Sequence, residues 1–129
     1  MWITVDELKT ITGVKPKHLN FSNDELIKFN ETLEEWISQS ESLIKSYTHN
    51  PFENEIPSSV KNVCLRLAAN MVALAIERRD TPRTTVTDWK IYKSSSEIFS
   101  SDLKADLEPY RIDYSNKSDK IDIFAITGD

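Results

Sequence analysis

From Leu26 to Tyr47 the apolar positions recur about every 3.5 residues: Leu26, Phe29, Leu33, Trp36 and Ile37, Leu43 and Ile44, then Tyr47, with Ser40 in register. Charged residues fill the gaps. That period marks one face of an α-helix, because a strand would alternate every second residue. Ser22-Asn23-Asp24-Glu25 precedes the pattern as a capping box, in which a serine oxygen and a glutamate reaching back satisfy orphan N–H groups. Asn50-Pro51 stops it. The predicted helix, residues 23 to 48, would be about 39 Å long.

A second long helix follows, over residues 57 to 79. Ile56-Pro57-Ser58-Ser59 opens it, with Pro57 tolerated in the first turn. Val60, Val63, Cys64, Leu67, Ala68, Met71, Val72, Leu74 and Ala75 make it apolar over most of its girth, so it should be central and covered on several sides. The connector between the two helices is short, which makes them antiparallel neighbours. Two shorter helices complete the expected set. Thr4-Val5-Asp6-Glu7 is another capping box, Leu8 and Ile11 give that first helix its apolar side, and Gly13 suits the position just past its end. Ser101 to Leu107 forms the last, ahead of Pro109-Tyr110. The expected fold is a mainly α, small helical bundle occupying residues 1 to 111.

Two segments depart from helical pattern. Residues 84 to 99 contain Thr85-Val86-Thr87-Asp88-Trp89-Lys90-Ile91-Tyr92, β-branched, aromatic and alternating, which reads as a β-hairpin or protruding loop. Trp89 has two readings of equal weight, a plug at the core's edge or an interface anchor, and Tyr92 accompanies it. The extended tail, residues 112 to 129, is polar until Ile121-Asp122-Ile123-Phe124-Ala125-Ile126, a short strand. Ile121 and Ile123 share one face of it, Phe124 and Ile126 the other. A lone strand needs an edge to join. The tail is therefore expected either to add a strand to a partner or to fold back on residues 86 to 92.

Composition narrows the chemistry. Only two glycines occur, Gly13 and Gly128, which argues against a glycine-rich phosphate loop or a tight-turned barrel. The net charge of −5 lacks the basic excess of a free-standing nucleic-acid binder. The single cysteine, Cys64, falls in an apolar run, so no disulfide framework can form and a reducing compartment is expected. No stretch suggests a membrane span, and the N-terminal residues carry no signal pattern, so the protein is expected to remain where it is made. His18 and His49 lie outside the apolar stripes and, with Cys64, lack metal-ligand spacing. Glu34/Glu35 and Asp6/Glu7 point about 100° apart on their helices, which suits solvated faces and dipole complements better than acid–base pairs. The expectation is a protein that is not an enzyme, uses no cofactor, and works by binding other proteins. Arg78 and Arg79 suffice as a cationic end to their helix. They can also reach an acidic face of a neighbouring subunit, with Glu31, Glu34, Glu35 and Glu41 as candidates.

The order of parts resembles the head–tail connector, or adaptor, proteins of tailed bacteriophages. The resemblance rests on Ile3-Thr4-Val5-Asp6-Glu7-Leu8-Lys9, then Tyr47-Thr48-His49-Asn50-Pro51, then Ile56-Pro57-Ser58-Ser59-Val60 and the apolar run after it, then Leu103, Leu107, Pro109, Tyr110 and Arg111. It spans roughly residues 3 to 111. It implies a homo-oligomeric ring, typically a dodecamer, in the neck of the virion. The ring would be assembled in the host cytoplasm beneath the portal protein and would present a surface to a stopper or tail-completion protein. It also implies no catalytic residue. DNA would pass through without sequence-specific binding. At −5 per chain a dodecamer would carry about 60 negative charges, a wall that repels the DNA backbone. The alternatives are a DNA-binding regulator or packaging subunit using Lys15-Pro16-Lys17-His18, or a non-catalytic partner of another chain.

Overall fold

The computed structural model describes residues 1–78 and 98–113 of the chain. Among these it is mainly helical, with four α-helices and no strand. They are α1 (Val5–Thr12), α2 (Leu26–Thr48), α3 (Ser58–Arg78) and α4 (Ser101–Leu107), with 3-10 turns at Pro16–Leu19, Asn23–Glu25 and Glu108–Tyr110. The predicted hairpin, apart from its last two residues, and the predicted strand of the tail lie outside the described residues. So do Arg79, Trp89, Tyr92, Ile121, Ile123, Phe124 and Ile126.

Local chemistry sets the helix ends. The Thr4 hydroxyl accepts from the Glu7 N–H at 3.0 Å while the Glu7 carboxylate accepts from the Thr4 N–H at 2.8 Å. Gly13 then adopts the left-handed conformation at φ 67° and its N–H returns to the Lys9 carbonyl, ending α1. The second capping box forms as the sequence predicts, with the Glu25 carboxylate accepting from the Ser22 N–H at 2.9 Å, but its first turn is 3-10 and α2 proper begins at Leu26. Asn50-Pro51 does not end α2 directly. His49 does so, entering the left-handed region at φ 56° with its N–H on the Lys45 carbonyl at 2.8 Å. Pro57 stands just before α3 and supplies the carbonyl that accepts from the Val60 and Lys61 N–H groups.

α3 is central among the described helices. It packs against α1, α2 and α4, and α2 also touches α1 and α4. Its buried residues include all the expected core positions from Val60 to Leu74, and they join Leu8, Phe29, Leu33, Trp36, Ile37, Ile44, Leu103 and Leu107 in one contiguous core. The buried Ser40 donates to the Trp36 carbonyl at 2.8 Å and meets the Met71 sulfur at 3.8 Å, which satisfies its hydroxyl at the α2–α3 contact.

Three expectations change. Leu26 lies on the buried face of α2 but is 49% exposed, because it precedes Phe29, the first buried residue of the helix. Ile11 is 52% exposed: the inward side of α1 runs through Val5, Leu8 and Thr12, and Ile11 sits roughly 100° from its centre. Residues 84 to 99 do not project as a whole. Ile98 and Phe99 are buried, the Ile98 carbonyl accepts from the Asn70 amide at 2.9 Å, and Phe99 meets the Tyr47 ring edge-on at 5.5 Å.

Candidate functional site

Among the described residues, two surfaces carry polar organisation beyond what the helices need. The first joins the ends of three helices. At the end of α2, the Tyr47 hydroxyl donates to the Glu108 carboxylate, and the Arg111 guanidinium lies 4.9 Å from the Tyr47 ring centroid. The Asn50 amide donates to the Tyr110 carbonyl at 3.1 Å, and its oxygen accepts from the Phe52 N–H at 3.0 Å. At the start of α3, the Ser59 and Tyr110 hydroxyls share a hydrogen bond of 2.5 Å. Just beyond, the Ile112 N–H donates to the Thr48 carbonyl at 2.8 Å. Arg66 and Asp106 pair at 2.8 Å between α3 and α4.

This clasp holds Phe52 at φ 52°, a left-handed conformation costly for a residue with a bulky side chain. The ring is retained by packing, edge-on to Trp2 at 5.4 Å and tilted against Tyr110 at 6.5 Å. The hydrogen bond to Glu108 favours the protonated phenol of Tyr47 and pushes its pKa above the usual value. Beside the clasp lies an open groove of about 670 Å³, with Ser58, Ser59 and Asn62 on one wall and Asp106, Pro109 and Tyr110 on the other.

The second surface is the outer face of α2. Phe21, Lys28, Glu31, Thr32 and Glu35 line a shallow groove of about 380 Å³. The half-buried Phe21 meets Phe29 edge-on at 6.1 Å. Lys28 reaches back to Glu25 at 3.7 Å, and Glu35 accepts from the Gln39 amide at 3.1 Å. Hydrogen bonds from the Ser22 backbone and hydroxyl, then Lys28, hold the Glu25 carboxyl below its ordinary pKa.

Of the acidic candidates, Glu31, Glu34 and Glu35 are exposed along this face. Glu41 does not belong with them. It is half-buried, and its carboxylate accepts from the Trp2 N–H at 2.7 Å, fastening the N-terminal residues to α2. Arg78 is half-exposed at the last position of α3.

His18 and Cys64 are accounted for by their local surroundings. His18 accepts from the Lys15 N–H through Nδ1 at 3.0 Å, which organises Lys15-Pro16-Lys17-His18 into a 3-10 turn. Burial pushes the Cys64 thiol up to about 12, with the Glu41 charge adding to it, so the thiol is neutral and shielded. Among the described residues no three of His, Cys, Asp and Glu gather to hold a metal. Helix α3 is long and apolar enough to cross a membrane by length and composition, but it is the helix the others cover.

Sequence reasoning did not single out Phe21, nor the clasp as a unit. The signal for Phe21 was its place immediately before the Ser22 cap, where a hydrophobic residue often staples the helix entry. No family model matches this chain, and neither a curated protein nor a solved structure matches it.

Proposed function

We propose that this chain is a head–tail connector of a tailed bacteriophage: a non-catalytic subunit of a homo-oligomeric ring between the portal and the stopper or tail-completion protein. The observation that carries the reading is the clasp. Tyr47 and Asn50, Ser59, and Tyr110 with Arg111 come from three separate stretches of the resemblance and meet at one point. Their order and spacing therefore describe one structural unit instead of three unrelated coincidences.

In this reading α2 and α3 run antiparallel, which puts Arg78, at the end of α3, at the opposite end of the bundle from the clasp. The clasp gives the tail a fixed origin, because Ile112 is tied to the Thr48 carbonyl and the tail continues from there. The tail then leaves the body and adds a strand to a sheet of the portal by β-augmentation, which supplies the edge a lone strand lacks. Arg78 and Arg79, Trp89 and Tyr92 serve contacts with neighbouring subunits or the next ring.

The test is removal of residues 115 to 129, followed by co-purification with the portal protein of the same phage. The truncated protein should keep its melting temperature and lose portal attachment. Attachment that survives truncation, or a melting temperature that falls with it, would assign the tail to the chain's own domain.

A further inference from the structure

We infer that the groove of Phe21, Glu31 and Glu35 on one copy of this chain receives Arg78 of a second copy. The inference rests on the ring reading above and narrows it to one contact. Both halves of the contact are on the molecule. The groove is concave, has an aromatic ring in its wall, and carries two carboxylates four residues apart, hence on one face of α2. A guanidinium suits such a place, since it can stack on the ring and donate in parallel to a carboxylate.

The groove's own cation does not fill this role, because Lys28 is drawn to Glu25 at its edge. Among the described residues neither Glu31 nor Arg78 makes an ion pair, so each presents an uncompensated charge of opposite sign. Within one chain the same arrangement already recurs, with Arg111 against Tyr47 beside Glu108. With α2 and α3 antiparallel, pairing Ser40 with Met71 brings Arg78 to the level of Leu33, the same height as the groove. Subunits related by rotation about an axis along the bundle meet at equal height, so a head-to-tail contact of this kind can close into a ring. Glu41 does not line the groove, and one of its oxygens accepts from the Trp2 N–H.

The experiment is a charge swap read by sedimentation at low salt and millimolar protein, with circular dichroism confirming helicity. Arg78→Glu leaves one variant acidic at both halves of the contact, and Glu31→Arg with Glu35→Arg leaves the other basic at both. Each alone should stay monomeric where the wild type associates, and mixing the two should restore association. Milder Arg78→Gln and Glu31→Gln/Glu35→Gln variants should each weaken association about tenfold, and added salt should do the same to the wild type. A mixture that stays monomeric, a wild type that does not associate, or an Arg78→Glu variant that associates as the wild type does would overturn the contact. Portal binding is measured on the same samples: if it persists while the contact fails, only this inference falls, and if it is absent throughout, the connector reading falls with it.

Discussion

Leu67 sits where α3 is fully enclosed, with none of its surface exposed. Truncation to alanine removes three carbon groups from that site. At about 0.8 kcal/mol per buried group the transfer loss is about 2.4 kcal/mol. The void adds to this, because helices on several sides of α3 cannot all move in to close it, which brings the total to about 3–4 kcal/mol. For a domain whose whole stability is of order 5–15 kcal/mol, that is a large fraction. Urea unfolding followed by circular dichroism would show it as a fall in midpoint of about 2–3 M at a slope near 1.3 kcal/mol/M. Leu67→Asp should abolish folding, since it leaves an unpaired charge in the same place. Ile27→Ala is the internal control: Ile27 is 75% exposed and should cost no more than about 0.5 kcal/mol. A loss below about 1 kcal/mol for Leu67→Ala, or equal losses at the two sites, would refute the placement of α3 at the centre.

Thr4→Ala should lower stability by about 1 kcal/mol, because it strips the cap from α1, and Thr4→Ser should restore most of it in the same urea assay. Tyr47 has a raised pKa in the folded state, so its contribution is complete below the ordinary phenol value near 10 and is lost as pH climbs through the folded one; Tyr47→Phe should flatten this alkaline decline in thermal melts. Glu25 has a lowered pKa, so its contribution is present above about 4.5 and is lost as pH falls through the folded value; Glu25→Gln should remove that part of the acid transition.

The elements legible in the sequence are those whose signals are local. Capping boxes at Thr4 and Ser22, the left-handed Gly13 and the apolar period of α2 each involve residues within a few positions, and the structure has all of them. The central place of α3 was legible too, because a helix apolar over most of its girth has to be covered on several sides. The clasp was less so. Its partners are far apart in the chain, and nothing in a single sequence says that Ser59 meets Tyr110, 51 residues on, or that Tyr47 meets Glu108, 61 residues on. The contact of Glu41 was hidden for the same reason, since its partner is the backbone N–H of Trp2, which no side-chain pattern reveals. Leu26 marks the other shortfall, since periodicity names the face of a helix but not how far its neighbours extend along it. Ile11 marks a different one, since the apolar residues of an eight-residue helix are too few to fix its inward face.

We propose that many copies of this chain assemble as a channel-bearing ring joined to a portal. Negative-stain electron microscopy of the purified protein, alone and mixed with the products of the adjacent genes, tests it most directly. The expected images are rings with an axial opening, coaxial with a portal ring wherever that protein is present. Images showing only dispersed monomers in every mixture, or the chain bound to a partner that forms no ring, would contradict it.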